Sequence, residues 1–120
     1  MGNPHCVTFV DNVDEYPVHQ VGDLIEHHKI FPKKTNVGFS QVKNRNEMFL
    51  RVWERGVGET LACGTGTCAA VAVANRLGKV ENKVTVHLLG GDLEVEVCES
   101  SLFMTGEAEK VFEGKLFKEI

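Results

Sequence analysis

The chain has little that would tie it to nucleic acid, a membrane or an oxidising compartment. It carries 13 basic against 17 acidic residues, a net charge of -4, and no cluster of Lys or Arg. A nucleic-acid-binding face needs such a cluster, so that partner class is set aside. The longest apolar run follows Cys63, is too short for a bilayer and is broken by Asn75 and Arg76. The start, Met1-Gly2-Asn3-Pro4-His5, lacks the basic and apolar regions of a signal peptide, which makes the cytoplasm the expected compartment. There is no Cys-x-x-Cys pair and no His-x3-His, so no metal is expected. The four cysteines read as free thiols, because a 120-residue chain can bury a core without disulfides. No Gly-x-Ser-x-Gly elbow is present. Repeats, low-complexity tracts and Pro/Gly/Ser linkers are also lacking, so residues 1–120 read as a single domain.

What is there is concentrated at Cys63-Gly64-Thr65-Gly66-Thr67, followed by the run Cys68-Ala69-Ala70-Val71-Ala72-Val73-Ala74. The pattern predicts a helix from about Gly64 to Leu77, stopped by Gly78. Its first backbone N–H groups have no partner within the helix and form an anion cradle. Glycines let a ligand approach the backbone, and a helix N-terminus favours a thiolate over a thiol. Cys63 is therefore the candidate reactive thiol, beside a seat for a small acid. The ordinary alternative is a buried, inert cysteine, and that is the reading for Cys68, Cys6 and Cys98.

Around this helix the periodicity predicts strands. His5 to Val10 is apolar and β-branched; Val37 to Val42 and Met48 to Trp53 are joined by the polar turn 43–46. Val84, Val86 and Leu88 alternate with polar residues, as do Leu93, Val95 and Val97, with a Gly90-Gly91-Asp92 turn between them. Two further strands are expected near 102–105 and 110–117. Residues 17–29 read as an amphipathic helix with Val21, Leu24, Ile25 and His28 on its inner face. The helix after Cys63 is apolar nearly all round and should be buried on every side. The expected fold class is α+β: mostly antiparallel strands wrapped around a buried central helix.

Other constellations are weaker. Gly64-x-Gly66-x-x-Ala69 matches a dinucleotide fingerprint, but a glycine-rich loop precedes it where a buried strand is required. Glu54 and Arg55 end a strand; an arginine fork suits a carboxylate and a glutamate suits an ammonium, although a solvated charge pair has the same spacing. His5 at a strand start and Asn36 before one have plain structural explanations. A Cys63–His5 hydrolase is conceivable, with nothing local to support it. His27-His28 face apart on a helix and make no metal site.

Three segments occur in order: Gly2-Asn3-Pro4-His5, Thr35-Asn36-Val37-Gly38-Phe39, and the run from Arg51 through Glu54-Arg55-Gly56-Val57-Gly58-Glu59-Thr60-Leu61-Ala62-Cys63-Gly64-Thr65-Gly66. Together they strongly resemble the C-terminal half of diaminopimelate epimerase, over essentially the whole chain. The resemblance implies cofactor-free interconversion of LL- and meso-diaminopimelate, a step towards lysine and the bacterial cell wall. Two cysteines flank the substrate's α-carbon in that family, and Cys63 matches the second in chain order. Gly64 and Thr65 match the helix start that holds the reacting carboxylate. Asn3, Asn36, Glu54 and Arg55 match positions that grip the distal amino-acid end, and His5 matches an active-site histidine. The family's first half, with its Asp-Gly-Asn and Cys-Gly-Asn-Gly segments, has no counterpart here. The chain is therefore expected to be the C-terminal domain, with half a site, no turnover by itself, and the missing N-terminal half as its partner; the family is often dimeric. Rival readings are a proline or hydroxyproline racemase, whose Ser-Pro before the thiol is Leu61-Ala62 here, and a non-catalytic domain that binds a small acid.

Overall fold

The computed structural model describes residues 4–61, 63–99, 101–106 and 109–115. In chain order they form β1 (His5–Phe9), α1 (Val18–Glu26), β2 (Asn36–Asn44), β3 (Glu47–Glu54), β4 (Gly58–Thr60), α2 (Gly64–Arg76), β5 (Lys83–Leu88), β6 (Gly91–Cys98), β7 (Ser101–Gly106) and β8 (Glu109–Lys115). All strands belong to one sheet, ordered β1-β2-β3-β5-β6-β7-β8, with β4 paired to the second half of β3. The β5–β6 hairpin pairs Val84 with Val95 and keeps its apolar residues on one face, as the alternation predicts.

The pairings β1–β2 and β3–β5 are parallel, among otherwise antiparallel neighbours. This mixed sheet corrects nothing in the fold class but adds what periodicity cannot show, since alternation is the same in both pairings. β4 is the one short strand that the sequence reading treats as loop. The expected strand at 110–117 is described as far as Lys115; its last two positions lie outside the described residues.

Helix α2 packs against β1, β2, β3, β6 and β7, strands from opposite ends of the sheet order, so the sheet curls around it. The helix approaches closely because Gly66, Ala70 and Ala74, spaced by four, present almost no side chain to the strands. A Cβ on Gly66 would stand 3.4 Å from Val52 Cγ1. Against this stripe lie Met48, Leu50 and Val52 of β3, with Val84, Val86 and Val95. The expectation that α2 is buried on every side does not hold: Ala69, Ala72 and Val73 are only half-buried, and Leu77 is exposed. Apolar composition all round licenses burial but does not supply a partner for each face.

Helix α1 covers the opposite face of the sheet, over Val37 and Phe39. Its buried residues are Val18, Gly22 and Glu26, and Leu24 is 70% exposed. Val21 and Ile25 pack inward as expected, but the inner face is centred on Gly22 and Glu26, which leaves Leu24 and His28 outside. The Trp53 ring lies across the helix, and only glycine fits beneath it: a Cβ at Gly22 would stand 2.7 Å from Trp53 Cγ. The next residue on that stripe is Glu26, whose carboxylate is buried because two N–H groups meet it.

Candidate active site

Cys63 is the N-cap of α2, with extended backbone (φ -146, ψ 110). Its Sγ accepts from Gly66 N–H at 3.3 Å and lies 3.6 Å from Thr65 Oγ1. The sulfur takes the place that a Ser, Asp or Asn oxygen takes at most helix starts. The Cys63 carbonyl accepts from the Thr67 backbone N–H and from Thr67 Oγ1, at 2.9 and 2.8 Å. A Cβ on Gly66 would come within 3.2 Å of the sulfur, so a larger residue would push the thiol from its seat. On the entry side, Gly90 N–H donates to the Leu61 carbonyl at 2.9 Å, which ties the segment before Cys63 to the β5–β6 turn.

The sheet places three other candidates side by side. His5 is registered with Asn36 across β1–β2, and Val37 with Trp53 across β2–β3, so the next pair outward is Asn36 with Glu54. Alternation along β3 puts Glu54 on the same face as Val52, the residue under Gly66. His5, Asn36 and Glu54 thus form a row at the sheet end beneath the N-terminus of α2. The side chains of Asn36 and Glu54 are held. Thr60 Oγ1 donates to Glu54 Oε2 at 2.5 Å, and Asn36 Oδ1 accepts from Arg55 N–H at 2.5 Å. Burial holds the His5 imidazole pKa below its ordinary 6.5, partly opposed by the Glu54 charge. Its Nε2 is buried and meets no hydrogen-bond partner among the described residues.

Arg55 sits in a tight turn in which Val57 N–H donates to the Glu54 carbonyl at 3.0 Å. Gly56 at its third position has φ +77, as a type II turn requires. The Arg55 guanidinium donates to the Lys33 carbonyl at 3.0 Å, so its side chain and that of Glu54 leave the turn in different directions. The structure therefore sets His5, Asn36 and Glu54 side by side at one sheet end with the Arg55 backbone tied to Asn36, and keeps Cys63, Gly64 and Thr65 together at the head of α2. Asn3 lies outside the described residues.

Thr60 and Thr67 are the residues that sequence reasoning passed over. Thr60 orients Glu54 and Thr67 braces the Cys63 carbonyl. Both sit inside the glycine-rich motif, yet a hydroxyl's partner cannot be read from spacing. Glu59 of the same motif faces the other side, where Arg51 holds it through two bonds of 2.6 and 2.8 Å. Cys68, one turn further along α2, is buried, and its thiol is pushed up to about 11 by burial and by the neighbouring Cys63. Ligand atoms of Asp23, Glu26 and His27 lie within 4.8 Å of one another, but both Glu26 oxygens already accept from protein N–H groups.

Residues 1–111 match the family model of diaminopimelate epimerase. The chain belongs to this family. It is 54% identical over 116 residues to the diaminopimelate epimerase of Moorella thermoacetica, covering 95% of this chain and 42% of the relative. It is 52% identical over 118 residues to that of Methanococcus maripaludis, covering 97% of the chain and 43% of the relative. The chain thus spans less than half the length of the curated relatives it matches. Among solved structures, a phenazine biosynthesis protein of the PhzF family from Enterococcus faecalis superposes with a TM-score of 0.66 at 20% identity, over 86% of this chain and 37% of the other. A putative PhzC/PhzF protein from Clostridium difficile gives 0.64 at 23% identity, over 86% and 37%. These two show a shared fold. No helix among the described residues is long and apolar enough to cross a membrane.

Proposed function

We propose that this chain is the C-terminal domain of a diaminopimelate epimerase and supplies one of the two thiols that invert the α-carbon. The observation that carries the reading is the Cys63 thiol capping α2, whose first turn packs at Gly66 on Val52, the residue that precedes Glu54 on that face of β3, with Glu54 in one row with Asn36 and His5. In one direction the Cys63 thiolate takes the α-proton while a thiol on the opposite face gives its own proton to the carbon. One thiolate is consumed and one is formed, so charge and protons balance. Reversal uses the same groups with roles exchanged.

Removing an α-proton puts charge on the carboxylate. The N–H groups at Gly64 and Thr65 face that charge at the positive end of α2, which lowers the barrier without moving a group. Glu54 pairs with the distal ammonium and the Arg55 turn receives the distal carboxylate, with Asn36 and Asn3 completing the grip. His5 is held neutral by burial and offers its ring nitrogen to the substrate. No metal or organic cofactor enters this mechanism. The second thiol belongs to the half of the protein that precedes this domain in full-length relatives, so this domain alone does not turn over. The product serves lysine synthesis in the cytoplasm.

Deuterium incorporation at the α-carbon of LL-diaminopimelate in heavy water tests this reading. Exchange is expected when the chain is mixed with its complementary half and absent with the chain alone. Conversion of LL- to meso-diaminopimelate that persists in the mixture after Cys63→Ser overturns the role of Cys63. Serine is a good N-cap and keeps α2 intact, so loss of conversion in that variant reports the thiol and not the fold. No exchange in a folded, associated mixture overturns the epimerase reading.

A further inference from the structure

Glu26 is a carboxylate that the mechanism above does not use. It lies on α1, on the face of the sheet away from Cys63, and is 3% exposed. A charged group so buried persists where it is hydrogen-bonded, and both of its oxygens are. Oε1 accepts from Trp53 Nε1 at 2.7 Å and Oε2 from Gly56 N–H at 2.9 Å. Burial works to raise its pKa, but the bonds from Trp53 and Gly56, with the His27 and Lys34 charges, outweigh it and hold the pKa below 4.5. The group is therefore ionised at neutral pH.

The two donors bracket Glu54 and Arg55. On the other side of the same turn, Arg55 N–H donates to Asn36 Oδ1. Successive backbone N–H groups, at 55 and 56, are thus tied to side chains on two different elements, β2 and α1. The turn joins β3 to β4, and its Gly56 could otherwise adopt many conformations. Gly22 lets α1 approach Trp53 closely enough for Glu26 to reach past it.

We infer that Glu26 is a positioning residue, which fixes the Glu54–Arg55 turn from behind and so sets where the distal, charged end of the substrate is received. The inference rests on the proposed epimerase reading. It goes beyond it in placing a determinant of substrate affinity on α1, outside the glycine-rich motif and on the far face of the sheet.

The test uses Glu26→Gln and, as a milder variant that keeps the ring packed, Trp53→Phe, each in the chain mixed with its complementary half. A Gln sets an NH2 against one of the two N–H groups, so one of the two bonds is lost and the hold on the turn weakens. The expected result is a KM for diaminopimelate raised about tenfold in Glu26→Gln, with kcat changed by less than about threefold. Trp53→Phe should move KM the same way by less. Amide exchange at Gly56 should quicken in Glu26→Gln, while alkylation of Cys63 stays at the wild-type rate. Equal KM in wild type and Glu26→Gln overturns the proposal, as does unchanged Gly56 exchange. A fall in kcat together with altered Cys63 alkylation also overturns it, because Glu26 would then act on the whole domain. An inert wild-type mixture overturns the epimerase reading instead, and Gly56 exchange in the chain alone still decides whether Glu26 holds the turn.

Discussion

The two faces of the sheet are held by different forces. Towards α2 the centre of the contact is apolar: Met48, Leu50 and Val52 meet Ala70, Val71 and Ala74, all at most 1% exposed. Towards α1 the fully buried apolar cluster is small, built on Val18, Val37 and Phe39 with half-buried Val21, Ile25 and Trp53 around it, and ionic or hydrogen-bonded contacts through Glu26, Arg51, Glu59 and His19 add to it. The catalytic candidates sit at the rim of the apolar face, and the turn beside them is fixed from both faces, by Asn36 on one and Glu26 on the other. Burial of alkyl groups is non-directional and sets distance. A charge-assisted hydrogen bond sets direction, which a tight turn needs.

The sharpest contrast lies within α2 itself, between its rim and its body. Cys68, with a pKa of about 11, is roughly 0.1% thiolate at pH 8 and is also shielded. Iodoacetamide is expected to label Cys63 first, with Cys68 reacting at least a hundredfold more slowly until the domain is unfolded, as peptide mapping over time would show. Comparable rates would mean that α2 is not seated as described. Breaking the apolar face comes next: Leu50→Ala should cost about 3–5 kcal/mol by chemical denaturation, from lost burial and the cavity left behind. A cost under ~1 kcal/mol would mean that the face repacks freely.

Breaking the polar face should cost less. Arg51→Met strands the Glu59 carboxylate, whose side chain is 9% exposed, and is expected to cost about 2 kcal/mol because water still reaches the pair. The pair also predicts a pH dependence. The Arg51 bond lowers the Glu59 pKa below its ordinary 4.5, with burial opposing. Its stabilisation is thus present above pH 4.5 and is lost as pH falls through the folded value. Acid titration of stability should lose this step in Arg51→Met. The smallest effect is of opposite sign. Asp92, then Glu47, raise the His87 pKa above 6.5 through hydrogen bonds. That contribution is full below pH 6.5 and fades as pH rises through the folded value, and His87→Gln should flatten the slope.

Much of this was legible in the chain. The β5–β6 hairpin and α2 follow from periodicity, because each is a local pattern closed by glycine. Cys63, Gly64 and Thr65 were found together for the same reason: a helix start, its cap and its first N–H groups are contiguous. Glu54 and Arg55 were visible as a charged pair, but their diverging side chains were not, since the partners Thr60 and Lys33 are chosen by the fold. Leu24 misled, because hydrophobicity alone placed it inward, whereas Trp53 demanded a glycine and turned the helix.

By itself the sequence determined the helices and every strand but β4, the thiol at the head of α2 and the family. Those are set by short-range sterics, by capping and by a motif in which neighbours in sequence are neighbours in space. Only the tertiary structure decided that β1 runs parallel to β2, that His5, Asn36 and Glu54 share one row, and that a buried glutamate on α1 holds the turn beside them. Such pairings join residues far apart in the chain. Their energies exist only after the intervening loops have closed, so no local pattern records them.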